Sequence, residues 1–390
     1  MSSKPRIAVI GGGIGGTTAA ILLQRAGYPC KVYEQAPAFV GAGAGIQIAP
    51  NSTRILREFG LGESMARAGI QPEFKLSREW NTGRQLFAIP IVELSKRYNG
   101  PFYAFHRGDL QDMLTSLLEP GTIVFGKRLV GLQTRGAATT LSFADGSTAE
   151  ADAVVGADGV HSKVREILLG AKPPSYHGLV AYRCMFPTSE LGDMAVEENT
   201  KWWAPDRYLL HYFFRKDRQH VYFVTGSPED WQADDFAPQA APVEAMRAVF
   251  EGFHPTVQRL VQAASSATKW AMLEREPFRP WSDGSIVLIG DACHPTTPHM
   301  GQGAGMAIED AVVLVRCMES ADGSNLEKAF QLYEDARFDR TARIQNESHR
   351  NEWGKSGIDH QWVYGYDALT VPLGADAVQI PPPQPMRQHG

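Results

Sequence analysis

Arg6–Ile10 is a short apolar run that breaks into glycines, the pattern of a strand buried on both faces of a parallel sheet. Thr17–Ala26 then reads as a helix that stops at Gly27, and Lys31–Glu34 reads as a second strand. Together they predict a βαβ opening. Val40–Ile46 is rich in Gly and Ala and predicts a loop, followed by helices at Ser52–Phe59 and Leu110–Leu118. Thr122–Thr134 and Ala138–Phe143 read as strands, Asp145-Gly146 as a hairpin turn, and Ala153–Gly156 as a further strand. After Gly170 the pattern changes. Leu179–Thr225 is dense in aromatic and β-branched residues with turn signals between the runs, which predicts an antiparallel sheet, with a helix at Val243–Glu251 interrupting this region. Ser285–Gly290 returns to the buried-strand pattern, and Met306–Met318 and Leu326–Trp353 are helical by period.

These elements predict an α/β protein whose Rossmann-like domain is discontinuous. Residues 1–170 and 285–369 form its two parts, the second carrying a C-terminal helical region. A mainly antiparallel β-sheet substrate domain is inserted at 171–284, and a Pro-rich tail, extended or disordered, occupies 370–390. At 390 residues and 43% hydrophobic, the chain can bury a core of that size, and it shows no internal repeats.

Two glycine-rich stretches carry the candidate chemistry. Gly11, Gly13 and Gly16 fill the GxGxxG spacing, with Gly15 in the same turn. The first allows a tight turn, the second a close approach of pyrophosphate, and the third close packing of helix on strand. Phosphate charge then meets the positive end of the helix. Glu34 follows at the end of the second strand, where an acid binds a ribose hydroxyl, with Gln35 beside it. The later stretch, GDACHPTTPHMGQGAGMAIEDA at Gly290–Ala311, puts Asp291 after a buried strand. Gly301, Gly303 and Gly305 then predict a loop of backbone N–H groups ahead of an apolar helix, with Ala304 inside it. A cofactor gripped at both places is long, and FAD has that length. An NAD dehydrogenase completes its two nucleotide-binding halves in sequence, whereas this chain detours through β-rich sequence first.

Composition narrows the remaining classes. A formal net charge of -5 offers no basic field for nucleic acid. No apolar run approaches the ~20 residues that span a bilayer, and the N-terminus lacks a secretory pattern. Cys30, Cys184, Cys293 and Cys317 are scattered, which fits a reducing cytoplasm. His294 and His299, five apart with Pro295 and Pro298 between them, could be mistaken for metal ligands, but no carboxylate or cysteine set completes a site, so no metal is expected.

The set GGGIGG, ADGVHSKVR at Ala157–Arg165 and GDACHP at Gly290–Pro295, in this order, resembles the single-component flavoprotein aromatic hydroxylases. The likeness covers nearly all of the first 370 residues. GAGAGIQIAPNSTRIL at Gly41–Leu56 resembles the salicylate hydroxylase branch, while KWWAPDR at Lys201–Arg207, YFVTG at Tyr222–Gly226, FEGFHPTV at Phe250–Val257 and WVYGYD at Trp362–Asp367 are more similar to the 6-hydroxynicotinate monooxygenase branch. The resemblance implies FAD contacts at Gly13, Glu34, Arg107, Leu129, Asp291 and Ala304, and a role for Asp158-Gly159 toward both FAD and a nicotinamide nucleotide. It implies NADH or NADPH as a transient co-substrate, O2 and a small aromatic substrate as the other reactants, and a flavin that moves between two positions. Arg107 has its own rationale, since an Arg on a loop can grip a cofactor's polar groups.

On the substrate side, Arg207–Arg215 reads RYLLHYFFR. Neighbours in a strand face opposite sides, so Tyr208, Leu210 and Tyr212 share one face and His211 takes the other. The resemblance implies a substrate-side tyrosine at Tyr212, with Tyr208 on the same side and His211 structural. It also implies histidine where this chain has Gln47 and Tyr208. Glutamine can only hydrogen-bond, and it is the residue type of the salicylate branch, so Gln47 leaves the substrate open. Arg183, Trp202, Trp203, Tyr222 and His299 are further pocket candidates: Arg183 as a carboxylate partner, His299 from the loop beside the flavin edge. The readings that follow are an FAD- and NAD(P)H-dependent hydroxylase, a flavin oxidase without ring hydroxylation, and a non-catalytic FAD-binding redox protein, as monomer or homodimer.

Overall fold

The computed structural model describes residues 4–39, 44–231, 236–321, 325–353 and 359–373. Positions 40–43 of the expected loop, and the tail from 374 onward, lie outside these.

Six strands form the first sheet, in the order Ser282–Asp283, Ile286–Leu288, Ala153–Gly156, Ile7–Ile10, Cys30–Tyr33 and Ile123–Val124. All pairings are parallel except that of Ser282–Asp283 at the edge. Ile7–Ile10 and Ala153–Gly156 are buried at every position, which is why the sequence there runs apolar without alternating. Ile7–Ile10 sits between Cys30–Tyr33 and Ala153–Gly156. The chain departs to opposite sides of it, and the glycine turn leaves from this switch point, where ligands bind in open α/β sheets. Helices Ile14–Arg25 and Gly303–Ser320 pack on this sheet and on each other.

The second sheet has eight strands: Gln239–Ala241, Ala267–Glu274, Ser175–Pro187, His220–Pro228, Tyr208–Phe213, Asn199–Trp203, Phe74–Glu79 and Gln85–Pro90. It departs from the sequence reading in one way: Phe74–Glu79 and Gln85–Pro90 come from the stretch expected to lie wholly in the cofactor domain. The sheet is mainly antiparallel, as expected, with one parallel pairing where Phe74–Glu79 joins Asn199–Trp203. A two-stranded ribbon, Gly45–Ile48 with Tyr103–His106, lies apart from both sheets.

Several boundaries also move. The expected strand over Thr122–Thr134 is two strands, Ile123–Val124 and Leu129–Arg135, in different sheets. Gly45 and Ile46, expected in the loop, fall with Gln47 on the strand Gly45–Ile48, and Arg107, expected on a loop, opens the helix Arg107–Thr115. Gly303, Ala304 and Gly305 form the first turn of the helix Gly303–Ser320 rather than a loop before it. A helix at Pro255–Ala263 was not expected.

A buried ionic cluster ties Gly303–Ser320 to the long helix Leu326–Arg350. Arg340 binds both oxygens of Glu309 at 2.8 Å, and Arg337 reaches Glu309 at 2.8 Å and Asp310 at 2.7 Å. Asn51 donates to Glu309 at 2.7 Å and to Gln302 at 3.0 Å, which docks the helix Pro50–Glu58 beside the same helix start. His294 meets Asp310 at 2.5 Å. Cys293, His294 and Asp310 thus converge: the thiol is the histidine's neighbour in sequence, and the fold brings in the acid from the next helix. Asp310 is shared with a guanidinium, which identifies the group as an ion-paired core network.

Candidate active site

The two glycine stretches meet at Ala307. A Cβ at Gly15 would lie 3.0 Å from the Ala307 side chain, and one at Gly290 would lie 3.1 Å from it. This close packing sets the N-termini of Ile14–Arg25 and Gly303–Ser320 beside one cavity of about 350 Å³. Gly11 has φ of +99°, and a Cβ there would strike the Ala157 carbonyl at 2.5 Å. Gly16 lies so close to the Gly11 carbonyl that a side chain would fall 2.0 Å from its oxygen. Gly13 faces open cavity, with nothing within 4 Å of where a Cβ would stand. The turn therefore has the three properties that pyrophosphate needs: tightness, an open approach and a helix end.

Glu34 closes the turn from the side, accepting from Gly12 N–H at 2.7 Å and from Ala36 N–H at 2.8 Å. Gln35 is exposed. Leu129 is buried in the core, and its side chain does not reach the cavity wall. Asp158 is spent on structure: it accepts from the Ser162 hydroxyl at 2.6 Å and from Lys163 and Val164 N–H, capping the helix Lys163–Leu169. Burial pushes its carboxyl pKa up against the pull of these bonds. Its neighbour Gly159 lines the cavity.

At the far end, Asp291, Arg107, Gly303 and Ala304 line the wall. Asp291 is open to the cavity yet hemmed in by protein, and this desolvation holds its carboxyl above its ordinary value, opposed by His294 and Arg107. Desolvation likewise pulls the Arg107 guanidinium down, opposed by Asp291. The N–H groups in the first turn of Gly303–Ser320 have no helical partner and form a positive end suited to an anionic ring edge. A second cavity, of about 630 Å³, adjoins here and shares Arg107, Arg183 and Asp291.

The eight-stranded sheet supplies the opposite wall, and its register explains which residues reach it. Asn199, Tyr212 and Tyr222 stand in one cross-strand row. Ser77, Lys201, Leu210, Val224 and Arg183 form the next, and Trp203, Tyr208 and Gly226 a third. Tyr212, Leu210, Tyr222, Val224 and Arg183 all line the cavity. His211 faces away, accepting from the Trp202 indole N–H at 3.3 Å, and burial pulls its pKa down to about 4. Trp202 and Trp203 take opposite faces, as adjacent strand residues must.

Tyr212 projects from this wall onto the Gly45–Ile48 strand, which also carries Gln47 into the cavity. Burial, reinforced by Tyr222, pushes the Tyr212 phenol well above its ordinary pKa, so the hydroxyl keeps its proton. The Gln47 amide Nε2 is buried without a partner. Tyr208 does not line the cavity; its ring lies over Gly226 and meets the His299 ring at 5.5 Å. His299 does line it. Its Nδ1 donates to the Ser348 carbonyl at 2.7 Å, leaving Nε2 as a buried acceptor with no partner. Burial, helped by the Lys201 charge, pulls this imidazole down to about 3. Arg183 rests on the Trp270 ring at 4.2 Å.

Residues 4–348 match the family described as FAD binding domain. The chain belongs to this family. It is 44% identical, over 96% of its length and 98% of the relative's, to 6-hydroxynicotinate 3-monooxygenase of Pseudomonas fluorescens. It is 45% identical, with the same coverage, to the enzyme of that name from Bordetella bronchiseptica. A solved salicylate hydroxylase substrate complex superposes with a TM-score of 0.80 at 26% identity, over 94% of this chain and 96% of that one. The chain is therefore an FAD-dependent aromatic-ring monooxygenase with the mixed α/β fold of these hydroxylases, and it takes NAD(P)H as reductant. The glycine turn, Asp291 and the two helix ends fit FAD: they offer an open backbone cradle at one end and a carboxylate with free N–H groups at the other. No described helix is long and apolar enough to cross a membrane.

Sequence reasoning missed Lys75, which also lines the cavity. A single Lys in FKLSRE carries no signature, and only the long-range pairing of Phe74–Glu79 brings it to the site. The Glu309–Asp310 pair did leave a signal: two adjacent acids inside an otherwise apolar helix need buried partners.

Proposed function

We propose that this chain hydroxylates 6-hydroxynicotinate at the carbon that bears its carboxylate, giving 2,5-dihydroxypyridine. In the overall reaction one atom of O2 enters the ring and the other leaves as water. NADH or NADPH supplies two electrons, and the carboxylate departs as carbon dioxide. The observation that carries this reading is the single chamber shared by Tyr212, Gln47, His299 and the glycine turn. The near full-length likeness to two 6-hydroxynicotinate 3-monooxygenases supports the choice of ring.

FAD, when bound and reduced, supplies the oxygen activation and transfer. The chain's own residues bind, orient and exclude water. Tyr212, held neutral by burial, donates to the oxygen that the ring carries and stabilises the negative charge that grows there. The Gln47 Nε2 donates to the same region of the ring. His299 accepts from a ring O–H or N–H at Nε2, and Tyr208 packs against His299 and fixes its plane. The aromatic wall of Tyr212 and Tyr222 keeps water from the reacting carbon. Gln47 also favours a second reading, a salicylate-type 1-monooxygenase or the hydroxylase of another hydroxypyridine carboxylate. Four unpaired cysteines support action in the cytoplasm.

A panel of hydroxypyridine and hydroxybenzoate carboxylates tests the assignment, scored for NADH consumption and for hydroxylated product. The proposal requires 6-hydroxynicotinate to give the highest kcat/KM and 2,5-dihydroxypyridine as product. Preference for salicylate would replace it with the second reading.

A further inference from the structure

Lys75 sits in the row that ends the substrate wall. Thr200 pairs with Leu76 in parallel, and Asn199 pairs with Tyr212. One residue back along both strands, Lys75 falls beside Asn199, so the row runs Lys75, Asn199, Tyr212, Tyr222. Paired residues share a face of the sheet, and Lys75 indeed lines the same cavity as Tyr212 and Gln47. Among the described residues no carboxylate forms an ion pair with it. Its ammonium lies 4.8 Å from the centre of the Phe102 ring, and His360 is the titratable neighbour that feels its charge. Burial pulls its pKa down to about 8, as expected for an amine held away from water without a counter-ion. Beside it, Asn199 is 1% exposed, and neither end of its amide has a partner.

Two other cations line the cavity. Arg107 feels the charge of Asp291 at the cofactor end, and Arg183, which the sequence suggested as a carboxylate partner, is stacked on Trp270 at the border of the second cavity with its Nε unpartnered. We propose that Lys75 recognises the carboxylate of the aromatic substrate. This rests on the reading of that substrate as a hydroxylated aromatic carboxylate. It adds a geometric consequence. Lys75 and Tyr212 stand two strand spacings apart, roughly 10 Å between backbones, with their side chains converging on one chamber. A ring held at its hydroxyl by Tyr212 and at its carboxylate by Lys75 carries those groups across from each other. That is the arrangement in 6-hydroxynicotinate and not in salicylate, whose two groups are adjacent.

The test is a titration of the FAD-loaded enzyme, followed by the change in flavin absorbance, with 6-hydroxynicotinate and with its uncharged analogue 6-hydroxynicotinamide. Wild type, Lys75→Met and Lys75→Arg are compared. Losing a charge-assisted contact is expected to weaken carboxylate binding about 10- to 100-fold in Lys75→Met. The carboxamide should bind both proteins alike, and Lys75→Arg should recover most of the loss. Lys75→Gln, with a polar tip, serves if Lys75→Met does not retain flavin. Equal affinity of wild type and variant for the carboxylate, or equal losses for both ligands, overturns the role of Lys75 alone. Wild-type enzyme that responds to neither ligand overturns the parent reading together with it.

Discussion

The Tyr212 ring lies against the backbone of Gly45: a Cβ at position 45 would fall 2.6 Å from Cε2 and 2.7 Å from the phenol oxygen. The strand that carries Gln47 thus also fixes the height of the tyrosine above the cavity. Gly45→Ala must displace the ring, since a Cβ cannot stand that close to it. Overpacking of this kind costs about 1–3 kcal/mol. The variant should still bind FAD, because the glycine turn is untouched, but should form less product per NADH consumed. An unchanged ratio of product to NADH would mean that the position of the phenol does not govern the reaction.

Tyr212→Phe removes the hydroxyl and keeps the ring. Burial holds that phenol protonated, so in the proposed reaction it donates a hydrogen bond rather than abstracting a proton. Removing one such donor from a developing oxyanion costs on the order of 100-fold in kcat. Ligand affinity should change far less than turnover, and NADH oxidation should become uncoupled from product. Retained coupling and turnover in Tyr212→Phe would remove this residue from the chemistry.

Much of this wall was legible in the sequence because strand parity survives burial on both faces. Arg207–Arg215 alternates whether or not its outward side is wet, so Tyr212 and His211 could be sorted to opposite sides from spacing alone. The glycine turn was legible for a similar reason, since each glycine answers a local steric demand. What escaped depends on pairings distant in sequence. Lys75 reaches the site through a parallel pairing with a strand more than a hundred residues later. The starts of Arg107–Thr115 and Gly303–Ser320 were placed too late because their first turns are poor in apolar residues. Those polar, glycine-rich turns are the parts that face the cavity.

The His294–Asp310 pair gives stability a pH signature. Both groups are fully buried. Desolvation alone would raise the Asp310 pKa, but His294 and Arg337 overcome it and bring the carboxyl to about 2, below its ordinary 3.8. Its contribution is therefore complete above about 4 and is lost as pH falls toward 2. Desolvation opposes charge on His294 as well, yet Asp310 holds its pKa well above the ordinary 6.5. That contribution is complete below about 6.5 and is lost as pH rises through the elevated value. Breaking a buried pair by removing one partner costs about 3–5 kcal/mol. Thermal unfolding of wild type and His294→Gln should differ most between pH 4 and 6.5, with the gap narrowing on either side. A gap independent of pH would mean that the pair is not ionised in the folded protein.

His299 makes the opposite prediction, about a group that does not titrate. Burial and the nearby Lys201 charge hold its pKa at about 3, and its Nδ1 proton is committed to the Ser348 carbonyl. The ring therefore stays neutral through the working range and presents only the Nε2 lone pair to the cavity. A neutral hydrogen bond contributes about 1 kcal/mol, roughly a fivefold effect on kcat/KM. His299→Gln should lower kcat/KM by about that factor without altering the shape of its pH profile between 5 and 8. Profiles of wild type and variant should run parallel. A wild-type break near pH 6.5 that disappears in His299→Gln would show that the imidazole gains a proton in the free enzyme, and would turn this residue from an acceptor into an acid.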